Sequence, residues 1–118
     1  MEIHLKYTGI EPETELKEYI HKRLKFLDKL ASQIDSWQAG PNEAVHAWVE
    51  IGRVTRHHKK GLVWYAECEL KMPGKKSFRA ASTNYDLGVA LDEVKDKTEL
   101  ILQKTKEKYR SQRRRGLK

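Results

Sequence analysis

His57, His58 and Cys68 are the side chains whose types and positions best suit catalysis or metal binding in this sequence of 118 residues. The two histidines are adjacent, and neighbours in an extended segment point in opposite directions, so they are poorly placed to ligate one ion. Cys68 falls on the apolar side of an alternating segment, where a thiol packs as a small hydrophobic group. The sequence contains no glycine-rich phosphate loop, paired-carboxylate motif or nucleophilic serine turn. We therefore predict no enzymatic activity, metal, cofactor or small-molecule substrate, and keep a small enzyme or metal-binding protein using these three residues as the second alternative.

Charge is the stronger chemical signal. The chain carries 24 Lys/Arg against 17 Asp/Glu. Residues 104–118 hold eight Lys/Arg and one Glu, so this segment accounts for the whole net charge of +7. A surplus of this kind favours a polyanionic partner, with nucleic acid ahead of an anionic membrane.

Two further groups of cations accompany this segment, one on the flanks of the predicted helices and one in the loop 53–60, which contains no acidic residue. Three basic groups on an otherwise neutral body predict nucleic-acid binding through phosphate placement and shape, without base readout. The candidate phosphate-binding residues are Lys22, Arg23, Lys25, Lys29, Arg53, Arg56, Lys59, Lys60, Lys97, Lys104, Lys108, Arg110, Arg113, Arg114 and Arg115.

Trp48 and Tyr65 lie on the polar side of two predicted strands, where they could stack on bases. Four glutamates, at positions 2, 50, 67 and 69, are expected on the same face and would repel phosphate. We therefore predict that Trp48 and Tyr65 form a cross-strand aromatic pair.

The length predicts one domain, which we place at residues 1–110, followed by a basic C-terminal tail at 111–118. A single cysteine excludes an internal disulfide and favours a reducing compartment. The N-terminal residues alternate between polar and apolar types and resemble neither a signal peptide nor a membrane span. We expect a cytoplasmic protein that does not bind membranes and is a monomer when free.

The secondary-structure signals alternate between the two main periodicities. Period-two segments predict strands, and apolar residues three and four apart predict helices. Polar residues at 82–84 are expected to cap the last helix, which should run for about 26 residues. The predicted order is strand 2–7, helix 14–31, connection 31–44, strand 45–51, strand 62–70, turn 72–74, a short strand around 78–80, and the last helix. This order predicts an α+β two-layer sandwich, β-α-β-β-β-α, with a four-stranded sheet and two helices packed on one face.

Two stretches carry motifs in a specific order. The N-terminal stretch consists of Ile3, Leu5, Gly9, Thr14, Leu16, Tyr19, Ile20, Arg23, Leu24, Leu27, Asp28 and Lys29. The C-terminal stretch consists of Phe78, Arg79, Ala80, Ala81, Asp86, Leu87, Ala90, Leu91, Asp92, Asp96 and Lys97. Together they resemble the short form of the bacterial ribosome hibernation promoting factors, or ribosome-associated inhibitors, of the S30EA type. The resemblance covers nearly the whole chain and implies the same order of elements.

The resemblance implies a stationary-phase or stress protein that binds the small ribosomal subunit and its rRNA and blocks the sites of messenger and transfer RNA. It assigns rRNA contacts to Arg23, Lys29, Lys97 and Lys104. Gly88 stands where the family usually has tyrosine. The chain also stops where the long forms add a dimerisation domain. We therefore predict a ribosome-associated translation inhibitor, with a general structured-RNA or double-stranded-RNA binding protein as the first alternative.

Overall fold

The computed structural model describes residues 2–37, 45–55, 62–71 and 77–116, with side chains throughout except at 35–37, 55, 62, 109–110 and 112–116. Its elements are β1 (Glu2–Thr8), α1 (Thr14–Arg23), α2 (Phe26–Trp37), β2 (His46–Thr55), β3 (Leu62–Lys71), β4 (Ser77–Asn84) and α3 (Leu87–Gly116). The four strands form one sheet in the order β1-β2-β3-β4. This is the predicted α+β fold. The predicted turn 72–74 and most of the basic loop 53–60 lie outside the described residues.

The sheet is mixed, because β1 runs parallel to β2 while the other neighbours are antiparallel. A parallel pair needs a crossover connection, and the segment containing α1 and α2 provides it. One face of the sheet is buried, and its central row joins Leu5, Val49, Cys68 and Ala80 across the four strands. Buried side chains of the helices, including Leu27 and Leu91, belong to the same core.

The predicted single helix 14–31 is wrong, because the chain forms two helices with a break at Leu24 and Lys25. The amide of Leu24 still bonds to the carbonyl of Ile20 at 3.0 Å, but the amide of Lys25 bonds to the carbonyl of Lys22 at 3.4 Å. This change from four-residue to three-residue hydrogen bonding tightens the turn and separates α1 from α2. The second helix continues to Trp37, so it also takes up the first part of the predicted connection.

The start of α3 also differs from the prediction. Residues 82–84 belong to β4, and Asp86 caps the helix instead. The Asp86 carboxylate accepts hydrogen bonds from the amides of Gly88 at 2.8 Å and Val89 at 3.3 Å, which are the second and third residues of the helix. Asn84 supports this cap from just before the helix, because its side-chain oxygen accepts a hydrogen bond from the Asp86 amide at 2.8 Å.

Candidate nucleic-acid interface

Helix α3 carries a row of three exposed lysines. Lys97, Lys104 and Lys108 are separated by seven and four residues, and this spacing places them on one side of an α-helix. Leu102 is the last buried residue among the described side chains of α3, whereas the helical backbone continues to Gly116. About 21 Å of helix therefore extends beyond the core at the usual rise per residue.

Lys97 differs from the other two lysines because it contacts the sheet. Its ammonium group donates a hydrogen bond to the carbonyl of Ala81 on β4, at 2.8 Å. An ammonium group has three protons, so Lys97 keeps donors for a phosphate while one of them holds the helix against the sheet. Lys104 and Lys108 form no ion pair or hydrogen bond with any side chain that the structure describes. Their charge is therefore available to a partner.

Arg23 links α1 to α3. Its Nη1 donates to Oδ1 of Asp92 at 2.8 Å, and its guanidinium lies 5.3 Å from the centre of the Tyr19 ring. The side chain remains 39% exposed. Tyr19, and then Asp92, raise the pKa of Arg23, so it stays cationic at any physiological pH. A phosphate at this position would share Arg23 with Asp92, which makes Arg23 a residue that positions the two helices as well as a candidate contact.

The remaining helical candidates lie around the break between α1 and α2. Lys22 is in the last turn of α1, Lys25 is in the break, and Lys29 is in the first part of α2. All three are exposed, and none is paired with an acidic group within the described parts of the chain. They form a second group of available cations, separate from the row on α3.

The basic loop and the C-terminal candidates are only partly described. Arg53 is exposed on β2, with its guanidinium 4.7 Å from the centre of the Trp64 ring. The structure does not describe the other loop candidates, Arg56, Lys59 and Lys60. The four candidate arginines from 110 to 115 lie on the helical backbone of α3, outside the described side chains.

The open face of the sheet does not carry the predicted aromatic pair, because Trp48 and Tyr65 lie in different rows of the sheet. Trp48 stacks on the ring of His4, with centroids 4.0 Å apart and planes 13° apart. The Tyr65 hydroxyl donates to Glu67 and accepts a hydrogen bond from Arg79 at 3.1 Å. Burial, and then the bond to Glu67, raise the pKa of Tyr65. Strand alternation alone could not show which residues share a row, since that depends on the pairing register.

The same face carries the four glutamates, as predicted. They alternate along their strands with the residues of the buried face. Glu67 pairs with Arg79, and Glu69 lies 3.9 Å from the ammonium of Lys71. This surface mixes acidic and basic groups, so it is a poor surface for a polyanion.

Cys68, a candidate in the enzyme alternative, lies in the core, only 1% exposed. Burial is the main cause that raises the pKa of its thiol to about 11, and the thiol is therefore protonated near neutral pH. A buried, protonated thiol is a poor nucleophile and a poor metal ligand. His57 and His58, its partners in that alternative, lie outside the described residues.

No helix among the described residues is long and apolar enough to cross a membrane. In a sequence comparison, no curated protein matches the chain significantly. The family model for "Sigma 54 modulation protein / S30EA ribosomal protein" matches residues 3–110. This match covers the four strands except for Glu2, all of α1 and α2, and α3 as far as residue 110. It agrees with the resemblance carried by the two motif stretches. The chain therefore belongs to the Sigma 54 modulation protein / S30EA ribosomal protein family and is a ribosome-associated modulation factor.

Proposed function

We propose that this protein inhibits translation by binding rRNA of the small ribosomal subunit, where it blocks the sites of messenger and transfer RNA. The observation that carries the proposal is the lysine row on α3, which continues beyond the core on a helix of 30 residues. A projecting cationic helix can enter a groove between rRNA segments, while a globular body at its base fills the space next to that groove. In this proposal the protein binds as a monomer in the cytoplasm and has no catalytic role.

Two parts of the chain have different tasks in this proposal. The body, residues 1–110, determines the docking position through its shape and through the cations of its helices. Residues 111–118 add charge, which strengthens binding without selecting a site. The open face of the sheet, with its glutamates, is directed away from rRNA because it would face phosphates with like charge.

Available cations carry most of the binding free energy, because an RNA phosphate gains little from a cation that is already paired. Lys104 and Lys108 are therefore the principal contacts of α3. Arg23 and Lys97 hold α1 and β4 against α3 through Asp92 and the Ala81 carbonyl, and so fix the geometry of the surface. Their removal would change the arrangement of the surface as well as its charge.

The test compares two variants that lose the same charge from opposite sides of the protein. Lys104→Gln with Lys108→Gln removes two available cations from α3. Lys6→Gln with Lys71→Gln removes two lysines from the open face, where Lys71 already lies 3.9 Å from Glu69. Affinity for purified small subunits is measured by sedimentation. Each phosphate contact contributes about 0.7–0.9 to the slope of the logarithm of affinity against the logarithm of salt concentration. The helix variant loses two such contacts and should therefore bind about 30-fold more weakly near 0.1 M salt. The sheet variant should bind like the wild type.

Inhibition of a purified translation system should follow the same order as the affinities. Equal losses in both variants would show that only total charge matters and would favour general structured-RNA binding, the first alternative. Competition with initiator transfer RNA on small subunits separates these two functions further, because only a protein bound over that site is displaced. A wild-type protein that stays at the top of the gradient at low salt would contradict the proposal.

A further inference from the structure

Glu2, His4 and His46 converge at one edge of the open sheet face. Glu2 and His46 are direct partners in the pairing of β1 with β2, and His4 lies two residues further along β1 on the same face. Nε2 of His4 lies 3.1 Å from Nδ1 of His46. The Oε2 atom of Glu2 is 3.3 Å from that Nδ1 and 3.7 Å from the Nε2. Three potential metal ligands from two strands therefore meet within one small volume.

The spacing of these three atoms suits a tetrahedral metal ion. Zinc binds imidazole nitrogen and carboxylate oxygen at about 2.0–2.2 Å, so two of its tetrahedral ligands lie about 3.4 Å apart. The observed separations of 3.1, 3.3 and 3.7 Å lie on both sides of this value. Two imidazoles and one carboxylate also form a ligand set that zinc accepts and that Mg²⁺ and Ca²⁺ do not prefer.

The neighbouring side chains favour this use of the three residues. Trp48 stacks on His4, which fixes the plane of that imidazole beside His46. A nearby cation, Lys71, lies opposite His46 in the sheet, but its ammonium is placed 5.5 Å from the centre of the Trp48 ring and 3.9 Å from Glu69. The side chains of His4, His46 and Glu2 are 37%, 35% and 65% exposed, so an ion can reach them from solvent.

We propose that Glu2, His4 and His46 bind one zinc ion, with water as the fourth ligand. The metal replaces the hydrogen bond between the two imidazoles with two nitrogen–zinc bonds, and the imidazole that donated this hydrogen bond then carries its proton on its other ring nitrogen. It joins β1, an edge strand, to its neighbour β2 and so stabilises the outer strand of the sheet. The site lies on the face opposite the helices, and this proposal is independent of rRNA binding.

The experiment measures zinc binding by calorimetry on the full chain without a histidine tag. The wild type should bind one equivalent of ZnCl₂. His46→Ala and Glu2→Gln should each weaken binding by at least about 100-fold. Loss of a residue that only hydrogen-bonds to a metal ligand already costs about 10–100-fold in affinity, and loss of the ligand itself costs more. His21→Ala, which alters an exposed histidine of α1, is the matched control and should bind like the wild type.

His57 and His58 are a second possible source of metal binding, so the same titration is made with His57→Ala and His58→Ala combined. This variant should keep the one-equivalent site. If it loses the site while His46→Ala retains it, the assignment to the sheet is wrong. Replacement of zinc by Co²⁺ gives an independent readout, because tetrahedral Co²⁺ absorbs in the visible range and the absorption should disappear in His46→Ala.

Thermal unfolding distinguishes this site from adventitious surface binding. At free zinc a hundred times the dissociation constant, the melting temperature of the wild type should rise by about 10 °C. His46→Ala should melt normally without zinc and show no rise with it. The absence of a rise in the wild type, or an equal rise in both proteins, would overturn the proposal.

Discussion

Deletion of residues 110–118 tests whether the basic end of α3 anchors the protein by charge alone. The deletion removes five cations, Arg110, Arg113, Arg114, Arg115 and Lys118. The last buried side chain described in α3, Leu102, lies eight residues before the cut, so the core keeps its contacts. The expected change in melting temperature is therefore small, and any large effect on binding comes from the loss of charge.

The expected size of the effect follows from counterion release. Each neutralised phosphate contributes about 0.7 to 0.9 to the slope of the logarithm of affinity against the logarithm of salt concentration. If all five cations contact phosphates, truncation should flatten this slope by about 3.5 to 4.5 units. Competition with transfer RNA should persist at low salt, because Lys104 and Lys108 remain and the body still determines the docking position.

The assay is a salt titration of binding to small subunits, with a full-length control in which Arg113, Arg114 and Arg115 are changed to Gln. This control keeps the length and should flatten the slope by about 2.1 to 2.7 units. An unchanged slope after truncation would mean that the end of the helix makes no phosphate contact. A truncated protein that binds as tightly but no longer competes with transfer RNA would instead place site recognition in the removed segment, contrary to our reasoning.

Two further predictions concern Cys68 in the core and Gly88 at the start of α3. Burial raises the pKa of the Cys68 thiol from 9.0 to about 11, so the unfolded chain loses this proton first and stability should fall as pH rises between these values. Cys68→Ala should remove up to about 2–3 kcal/mol of this pH-dependent loss in the free energy of unfolding, measured by urea unfolding at several pH values. Parallel pH profiles of the wild type and the variant would contradict this assignment. A Cβ added at Gly88 would lie 2.6 Å from the Tyr19 hydroxyl, so Gly88→Ala should gain less than the usual ~1 kcal/mol for this change in a helix. Tyr19→Phe should restore part of that gain in a double-mutant cycle, because Asp86 Oδ1 at 3.1 Å and Arg23 Nη2 at 3.2 Å remain close to the added Cβ. An equal effect of Gly88→Ala with and without Tyr19→Phe would show that the hydroxyl moves aside without loss.

Much of the fold could be predicted from local patterns. Alternation identified the buried face of the sheet, including Cys68, because one buried face imposes a period of two on each strand. The helix break could not be predicted, since Ile20, Leu24 and Leu27 keep helical spacing across it and all three are buried. Nothing in that spacing distinguishes a continuous helix from two helices that press the same apolar stripe onto the sheet.

The candidate site was predictable only where charge determines exposure. Lysines such as Lys104 and Lys108 stay on the surface because burial of an unpaired ammonium is costly, so the sequence alone could predict their exposure. Pairing between distant residues could not be read in the same way. The contact of Arg23 with Asp92 spans 69 residues, and that of His4 with His46 spans 42. The only earlier signal for the histidines was their shared position on the polar sides of two strands.

The two sides of the protein differ in how their cations are used. On the open face the basic groups of Lys71 and Arg79 lie beside glutamates, whereas Lys104 and Lys108 on α3 have no acidic partner among the described residues. A cation that is already paired releases few counterions when it meets a phosphate, because its charge is largely neutralised before contact. In the binding mode proposed above, the difference in pairing would therefore orient the protein more strongly than net charge does. The helical side would approach an RNA groove, and the sheet face, with its histidine and glutamate cluster, would stay accessible to solvent.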